Sequence, residues 1–157
     1  MIRALNKKEC ELILEQNYIG HLGYTYLDRP FVVPITYFFK DDKIICYSGD
    51  GHKIDALRKH NLVALEVSVI HSVNDWQSVL VHGAYNEVKG SSAKALLHEF
   101  SLGVKDIIMR KELRDLDFIS EFSAKIDSDK MPIVFTITIE GLTGKMRKHL
   151  KVKTKTE

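Results

Sequence analysis

Six segments of β texture, short turns between several of them, and helical periodicity confined to the stretches in between predict an α+β domain dominated by β. Connections this short make neighbouring strands antiparallel. A chain of 157 residues suits one domain with a real core. Together these point to a six-stranded, mostly antiparallel β-barrel, closed or partly open, with peripheral helices.

The elements follow in order. Asn6 with Glu9 three residues on has the form of a helix N-cap and its capping-box partner, and Leu12, Ile13 and Tyr18 predict a short helix over 7–16. YIGHLGYTYLD, PFVVPITYFFK and KIICYS then read as three strands, with turns at Arg29-Pro30 and Lys40-Asp41-Asp42-Lys43. Pro34 interrupts the second of them. A residue without an amide hydrogen belongs at an edge, at a bulge, or where a ligand takes over the pairing. A helix over 51–60 follows, then strands LVALEVSVI and DWQSVLVHGAYNEV. Ser91-Ser92 caps a helix carrying Ala95, Leu96 and Phe100, and a second helical segment is expected over 104–122. MPIVFTITIE alternates as the last strand. Residues 1–150 are read as one domain and 151–157 as a basic, frayed tail.

Composition excludes several functions. Hydrophobic residues are 45% and charged ones 28%, ordinary for a soluble globular protein. No apolar run reaches a membrane span, and MIRALNKKEC has no signal-peptide core. Cys10 and Cys46 match no metal spacing and fit a reducing cytoplasm. Net charge is +2, and it is unevenly placed: Gly141–Glu157 carries six Lys/Arg against Glu157 alone, leaving a mildly acidic body. That body shows no basic stripe, so nucleic acid is disfavoured as a partner. None of the seven histidines forms an HExxH or similar ligand pattern, Ser48 and Ser78 lie in no nucleophile elbow, and neither GxGxxG nor a Walker A sequence occurs.

Three polar intrusions into strand-like surroundings remain. Pro34-Ile35-Thr36-Tyr37 is a hydrophobic strand broken by proline. Tyr47-Ser48 runs through two glycines into Gly51-His52-Lys53 at a strand-to-helix joint. Trp76-Gln77-Ser78 opens the fifth strand. At the joint, free helix amides, the positive end of the helix dipole and Lys53 suit an anion, phosphate above all; an ordinary turn with a solvated lysine is the plainer alternative.

In that order and at those separations, Gly20–Val88 resembles the flavin-binding split-barrel superfamily of the pyridoxamine 5′-phosphate oxidases, and most closely its nitroimidazole-resistance branch. The matching motifs are Val32-Val33-Pro34-Ile35-Thr36-Tyr37, Ser48 ahead of GHKIDALR, and Trp76-Gln77-Ser78-Val79 through Gly83. Leu142-Thr143-Gly144-Lys145 echoes a TGK found after the last strand. The resemblance implies a six-stranded split barrel, paired as a homodimer with flavin sites at the subunit interface. It places main chain from Val33 through Pro34, Ile35 and Thr36 along the flavin ring. Ser48, His52 and Lys53 would hold the phosphate, with Tyr47 and Gly51 shaping the joint. Trp76, Gln77 and Ser78 would bind the ribityl chain or ring edge across the boundary, and Lys145 or Arg147 would reach the partner's cofactor.

Two departures qualify the implied activity. His52 stands where the oxidases carry arginine, and their closing Trp and Arg-Leu-x-Pro ending are missing, which argues against oxidation of pyridoxamine phosphate. The cofactor implied is FMN, with FAD also admissible in an open groove, and the substrate implied is a small electron acceptor such as a nitroaromatic. Two other readings stand beside this one. The first is a non-catalytic flavin or haem binder, with His21, His71 or His82 as axial ligand. The second is a nucleic-acid-binding barrel using the tail.

Overall fold

The computed structural model describes residues 1–112 and 132–148. Seven strands form one sheet: β1 (Ile2–Ala4), β2 (Ile19–Tyr26), β3 (Arg29–Lys40), β4 (Lys43–Ser48), β5 (Leu62–Ser72), β6 (Asp75–Val88) and β7 (Ile133–Arg147). Three helices accompany them: α1 (Lys7–Gln16), α2 (His52–Lys59) and α3 (Gly90–Glu112). Every pairing is antiparallel, in the order β1-β7-β4-β3-β2-β5-β6, and a further β6–β7 pairing closes the six long strands into a ring. The fold is the β-dominated split barrel expected from the sequence, with β1 as an added seventh strand.

Alternation decides which side chains fill the barrel. Leu22 and Tyr24 of β2, Ile35, Tyr37 and Phe39 of β3, Val63, Leu65 and Val67 of β5, and Phe135 and Ile137 of β7 are buried in one cluster. Ile54, Ala56 and Leu57 of α2 and Ile13 and Leu14 of α1 join it. A second cluster lies outside the ring, where Ala93, Leu97, Phe100, Val104 and Ile108 of α3 cover Ile45 and Val134. Leu96 is only partly buried and Ala95 is exposed, so the helix face is set by Ala93, Leu97 and Phe100.

Several boundaries differ from expectation for identifiable reasons. The β2–β3 turn is Leu27-Asp28, both at positive φ (50° and 61°), and Arg29-Pro30 already belong to β3. Two positive φ values match the strands' right-handed twist, which a proline-led turn would not. Asp41-Asp42 do the same between β3 and β4, as the sequence suggested. The last strand does not stop at Glu140. A register shift opposite His82 and Gly83, where β7 carries Glu140 as an extra residue between Ile139 and Gly141, lets the ladder run on to Arg147. Lys145 and Arg147 are therefore strand residues and not part of a tail. α3 is one helix where two were expected; the remainder of the expected 104–122 segment, and residues 149–157, lie outside the described residues.

The Asn6 cap holds as expected. Asn6 Oδ1 accepts from the Glu9 amide at 2.9 Å and the Asn6 amide donates to Glu9 Oε1 at 3.1 Å. The Arg3 guanidinium adds two bonds to Glu9, at 3.0 and 2.8 Å, tying β1 to the start of α1. Among the described residues, no helix is long and apolar enough to cross a membrane.

Candidate functional site

The ring is not laddered evenly. On one side β3 pairs with β2 from Arg29 to Thr36. On its other side it pairs with β4 only from Tyr37 to Lys40. Along Val33, Pro34, Ile35 and Thr36 the β4-side edge therefore carries no strand ladder among the described residues. This is the split in the barrel, and it accounts for Pro34, since a missing amide hydrogen is tolerated where the ladder is already incomplete. Ile35 is buried in the barrel, whereas Pro34 points outward and is exposed.

The chain turns at this opening. β4 ends at Ser48, whose Oγ donates to the Gly49 carbonyl at 3.1 Å. Gly51 then takes φ 154° and ψ −165° as the N-cap of α2, a region closed to side-chain-bearing residues. No side chain caps α2, so its first-turn amides, apart from solvent, are available to an anion. Tyr47 is half-buried and packs edge-on against Phe100, centroids 5.3 Å apart, which anchors the strand end to α3.

Lys53 is the second residue of α2 and is partly buried. Burial lowers its pKa from the ordinary lysine value, with the nearby Cys46 acting in the opposite sense. Cys46 is fully buried and its thiol pKa is raised by desolvation, so it stays protonated. Among the described residues no carboxylate lies within ion-pair distance of Lys53. A desolvated cation without a counter-charge, at an uncapped helix start beside an open strand edge, is suited to a phosphate group.

His52 is exposed, but its ring is fixed from three sides. Tyr26, Phe31 and Tyr24 meet it edge-on with centroids 4.1, 5.1 and 6.2 Å away, and the Tyr24 hydroxyl sits 3.4 Å from Nδ1. Reading the sequence did not find this cluster. Tyr24 and Phe31 face each other in register and stack at 5.4 Å, which is visible only once the turn is placed at Leu27-Asp28.

The remaining predicted residues lie elsewhere on the chain. Trp76, Ser78 and Lys145 line one cavity of about 350 Å³ with Leu80, Thr143 and Gly144. Alternation turns Gln77 to the other face, where it lines a separate cavity of about 230 Å³ with Met146 and Lys148. Arg147 is half-buried opposite Trp76 in the β6–β7 register. Ser78 Oγ donates to Glu66 Oε1 at 3.1 Å, and Glu66 Oε2 is 3.4 Å from His21 Nδ1, a polar chain across the outer face of β6, β5 and β2. Three strand-to-strand steps separate β3 from β6, about 14 Å along the sheet. Within one chain Ser48, Gly51, His52 and Lys53 gather at the β4–α2 joint, Val33–Thr36 lie on β3, and Trp76–Ser78, Lys145 and Arg147 lie on β6 and β7.

The fold defines a split-barrel protein, with Lys53 and the uncapped start of α2 at its opening. The sequence matches the pyridoxamine 5′-phosphate oxidase family profile over residues 6–123, and the protein belongs to that family. It is 30% identical over 103 residues to an uncharacterized protein of Rhizobium meliloti, covering 64% of this chain and 68% of the relative. Among solved structures, a FAD-binding protein from Mesorhizobium loti superposes with a TM-score of 0.72 at 25% identity, covering 94% of this chain and 99% of that one. A proposed 5-nitroimidazole antibiotic resistance protein from Bacteroides thetaiotaomicron gives 0.61 at 21% identity, with 93% and 89% covered.

Proposed function

We propose that the protein is a cytoplasmic flavin-dependent oxidoreductase that works as a homodimer and reduces small acceptors of the nitroaromatic type. The observation that carries the flavin reading is Lys53, a partly buried ammonium with no carboxylate partner among the described residues, at an uncapped helix start. The family membership and the FAD-binding protein of Mesorhizobium loti agree with it. When bound, the flavin supplies the electron transfer. The chain's own part is to bind and orient it. Lys53, Ser48 and the first amides of α2 hold the phosphate. In the tautomer whose Nδ1 accepts from the Tyr24 hydroxyl, 3.4 Å away, His52 offers Nε2–H as a further donor. The unladdered main chain of Val33–Thr36 meets the polar rim of the ring.

The separation of Trp76, Gln77, Ser78, Lys145 and Arg147 from this grip supports the dimer, because in a dimer they can reach a flavin held by the other subunit. The outer face also leaves Val32 and Ile70 69% and 71% exposed, apolar surface of the kind a subunit contact covers. The nitroaromatic acceptor rests on the motif resemblance and on the Bacteroides neighbour. No side chain is assigned as catalytic acid or base.

The test begins with the visible spectrum of the purified protein and titration with FMN and FAD. A flavin band, bound and retained, is expected; a colourless protein that takes up neither flavin would sink the reading. Lys53→Ala should then weaken flavin affinity by at least ~1.5 kcal/mol, the low end for a charged hydrogen bond. Unchanged affinity would remove Lys53 from the phosphate site.

A further inference from the structure

The aromatic cluster at the start of α2 is larger than a phosphate grip needs. Tyr24 is buried, Tyr26 and Phe31 are partly buried against the core, and His52 is exposed. The inner ring therefore supports an outer rim. The contacts are edge-to-face, at 71° between Tyr26 and His52 and 64° between Phe31 and His52, with Tyr26 against Phe31 at 66°. Interlocked rings of this kind hold their orientation, so the π surface they present is pre-formed. Stacking a nucleobase on such a surface requires no sequence-specific hydrogen bonds and little ordering of side chains.

Position gives the rim its meaning. His52 directly precedes Lys53 at the start of α2, which sets these rings beside the proposed phosphate grip. Arg29 faces Tyr26 across the hairpin. It is exposed and, among the described residues, forms no ion pair, which adds positive charge to the same rim. A mononucleotide ends at its phosphate and leaves the rim unused. A dinucleotide continues through a second phosphate to an adenosine.

We infer that the rim of Tyr26, Phe31 and His52 seats the adenine of a flavin dinucleotide, so that the protein takes FAD in preference to FMN. The inference rests on the flavin site proposed above and specifies its ligand. Tyr26 and Phe31 are specificity-determining side chains, and the phosphate grip is common to both nucleotides. The FAD bound by the Mesorhizobium loti protein is consistent with this choice.

Titration of the full-length protein with FAD and with FMN, followed by fluorescence, tests it. FAD should bind at least about tenfold more tightly, the scale of one base stacked on an aromatic surface. Tyr26→Ala should cost FAD affinity about tenfold more than it costs FMN affinity, circular dichroism confirming the fold. The ratio of the two affinities on the unmodified protein is a result independent of any variant's folding. Equal affinities, or an equal loss of both in Tyr26→Ala, would overturn the dinucleotide assignment alone. Binding of neither flavin would overturn the flavin site itself and this inference with it.

Discussion

Two sides of one barrel differ in how they are held. On the β6–β7 side the ladder runs from Trp76 to Val88 against Val134 to Arg147, and β1 adds a third strand at its far end. On the β3–β4 side the ladder spans only Tyr37–Lys40 against Lys43–Cys46, and α2 closes the core with Ile54, Ala56 and Leu57. Continuous pairing satisfies the backbone internally and leaves it nothing to offer a ligand. The interrupted side leaves main-chain groups and helix amides available, and there the chain places Lys53, partly buried and without a carboxylate partner among the described residues. With the proposed flavin site at the interrupted side, stability and binding fall to different sides, as they commonly do between a rigid scaffold and the segments it positions.

The strongest way to break this contrast is to damage the laddered side. Phe135 is fully buried, tilted against Tyr85 at 4.9 Å, and lies in the register of both β4 and β6. Phe135→Ala should cost about 3–5 kcal/mol of unfolding free energy, the range for deleting a buried aromatic side chain. Denaturant unfolding measures it directly. A loss below ~1 kcal/mol would mean that this side does not carry the stability assigned to it.

Gly51 probes the interrupted side. A Cβ added there would meet no neighbouring atom within 4 Å, but φ 154° is a conformation side chains rarely adopt. Gly51→Ala should therefore cost about 1–3 kcal/mol through backbone strain alone. If the loop relaxes to relieve that strain, the first amides of α2 reorient and flavin affinity falls instead. Unfolding and flavin titration together separate the two outcomes, and a variant unchanged in both would remove the joint from the site.

Legibility in the sequence follows the same division. Strands with one buried face were readable because alternation alone reports them, as in Ile35, Tyr37 and Phe39. The strand-to-helix joint was readable from Gly51 ahead of an amphipathic stretch, whereas an anion role for Lys53 was not, because locally an ordinary turn with a solvated lysine is the plainer reading. What failed depended on register. The Tyr24–Phe31–His52 cluster needs the correct turn, and proline at position 30 drew the turn two residues late. The continuation of β7 to Arg147 needs the shift at His82/Gly83, where a Cβ on Gly83 would lie 2.3 Å from the Thr138 carbonyl oxygen. A close approach of that kind is a fact about two distant segments and leaves only a lone glycine in the sequence. The separation of Gln77 from Trp76 and Ser78 was available in principle, because strand neighbours always face opposite ways.

The smallest effect expected lies where β1 and α1 flank the laddered side. Two Arg3 bonds and the Asn6 amide hold the Glu9 carboxylate charged, Arg3 being the largest cause, and lower its pKa from the ordinary 4.5 to about 2. A carboxyl group whose folded pKa is depressed binds fewer protons in the folded state than in the unfolded one, so stability falls as acid is added. Its contribution is complete above pH 4.5 and disappears as the pH drops through about 2. Glu9→Gln removes that proton linkage and keeps much of the side chain's shape. The variant should be slightly less stable at neutral pH, and the difference should vanish toward pH 2 and shrink with added salt, because the ion pair is solvent-exposed. Thermal unfolding of both proteins across that range decides the matter. Parallel curves would show that Glu9 acts only as a helix cap, with the backbone bond at 2.9 Å and not the charge holding β1 and α1 beside the ladder.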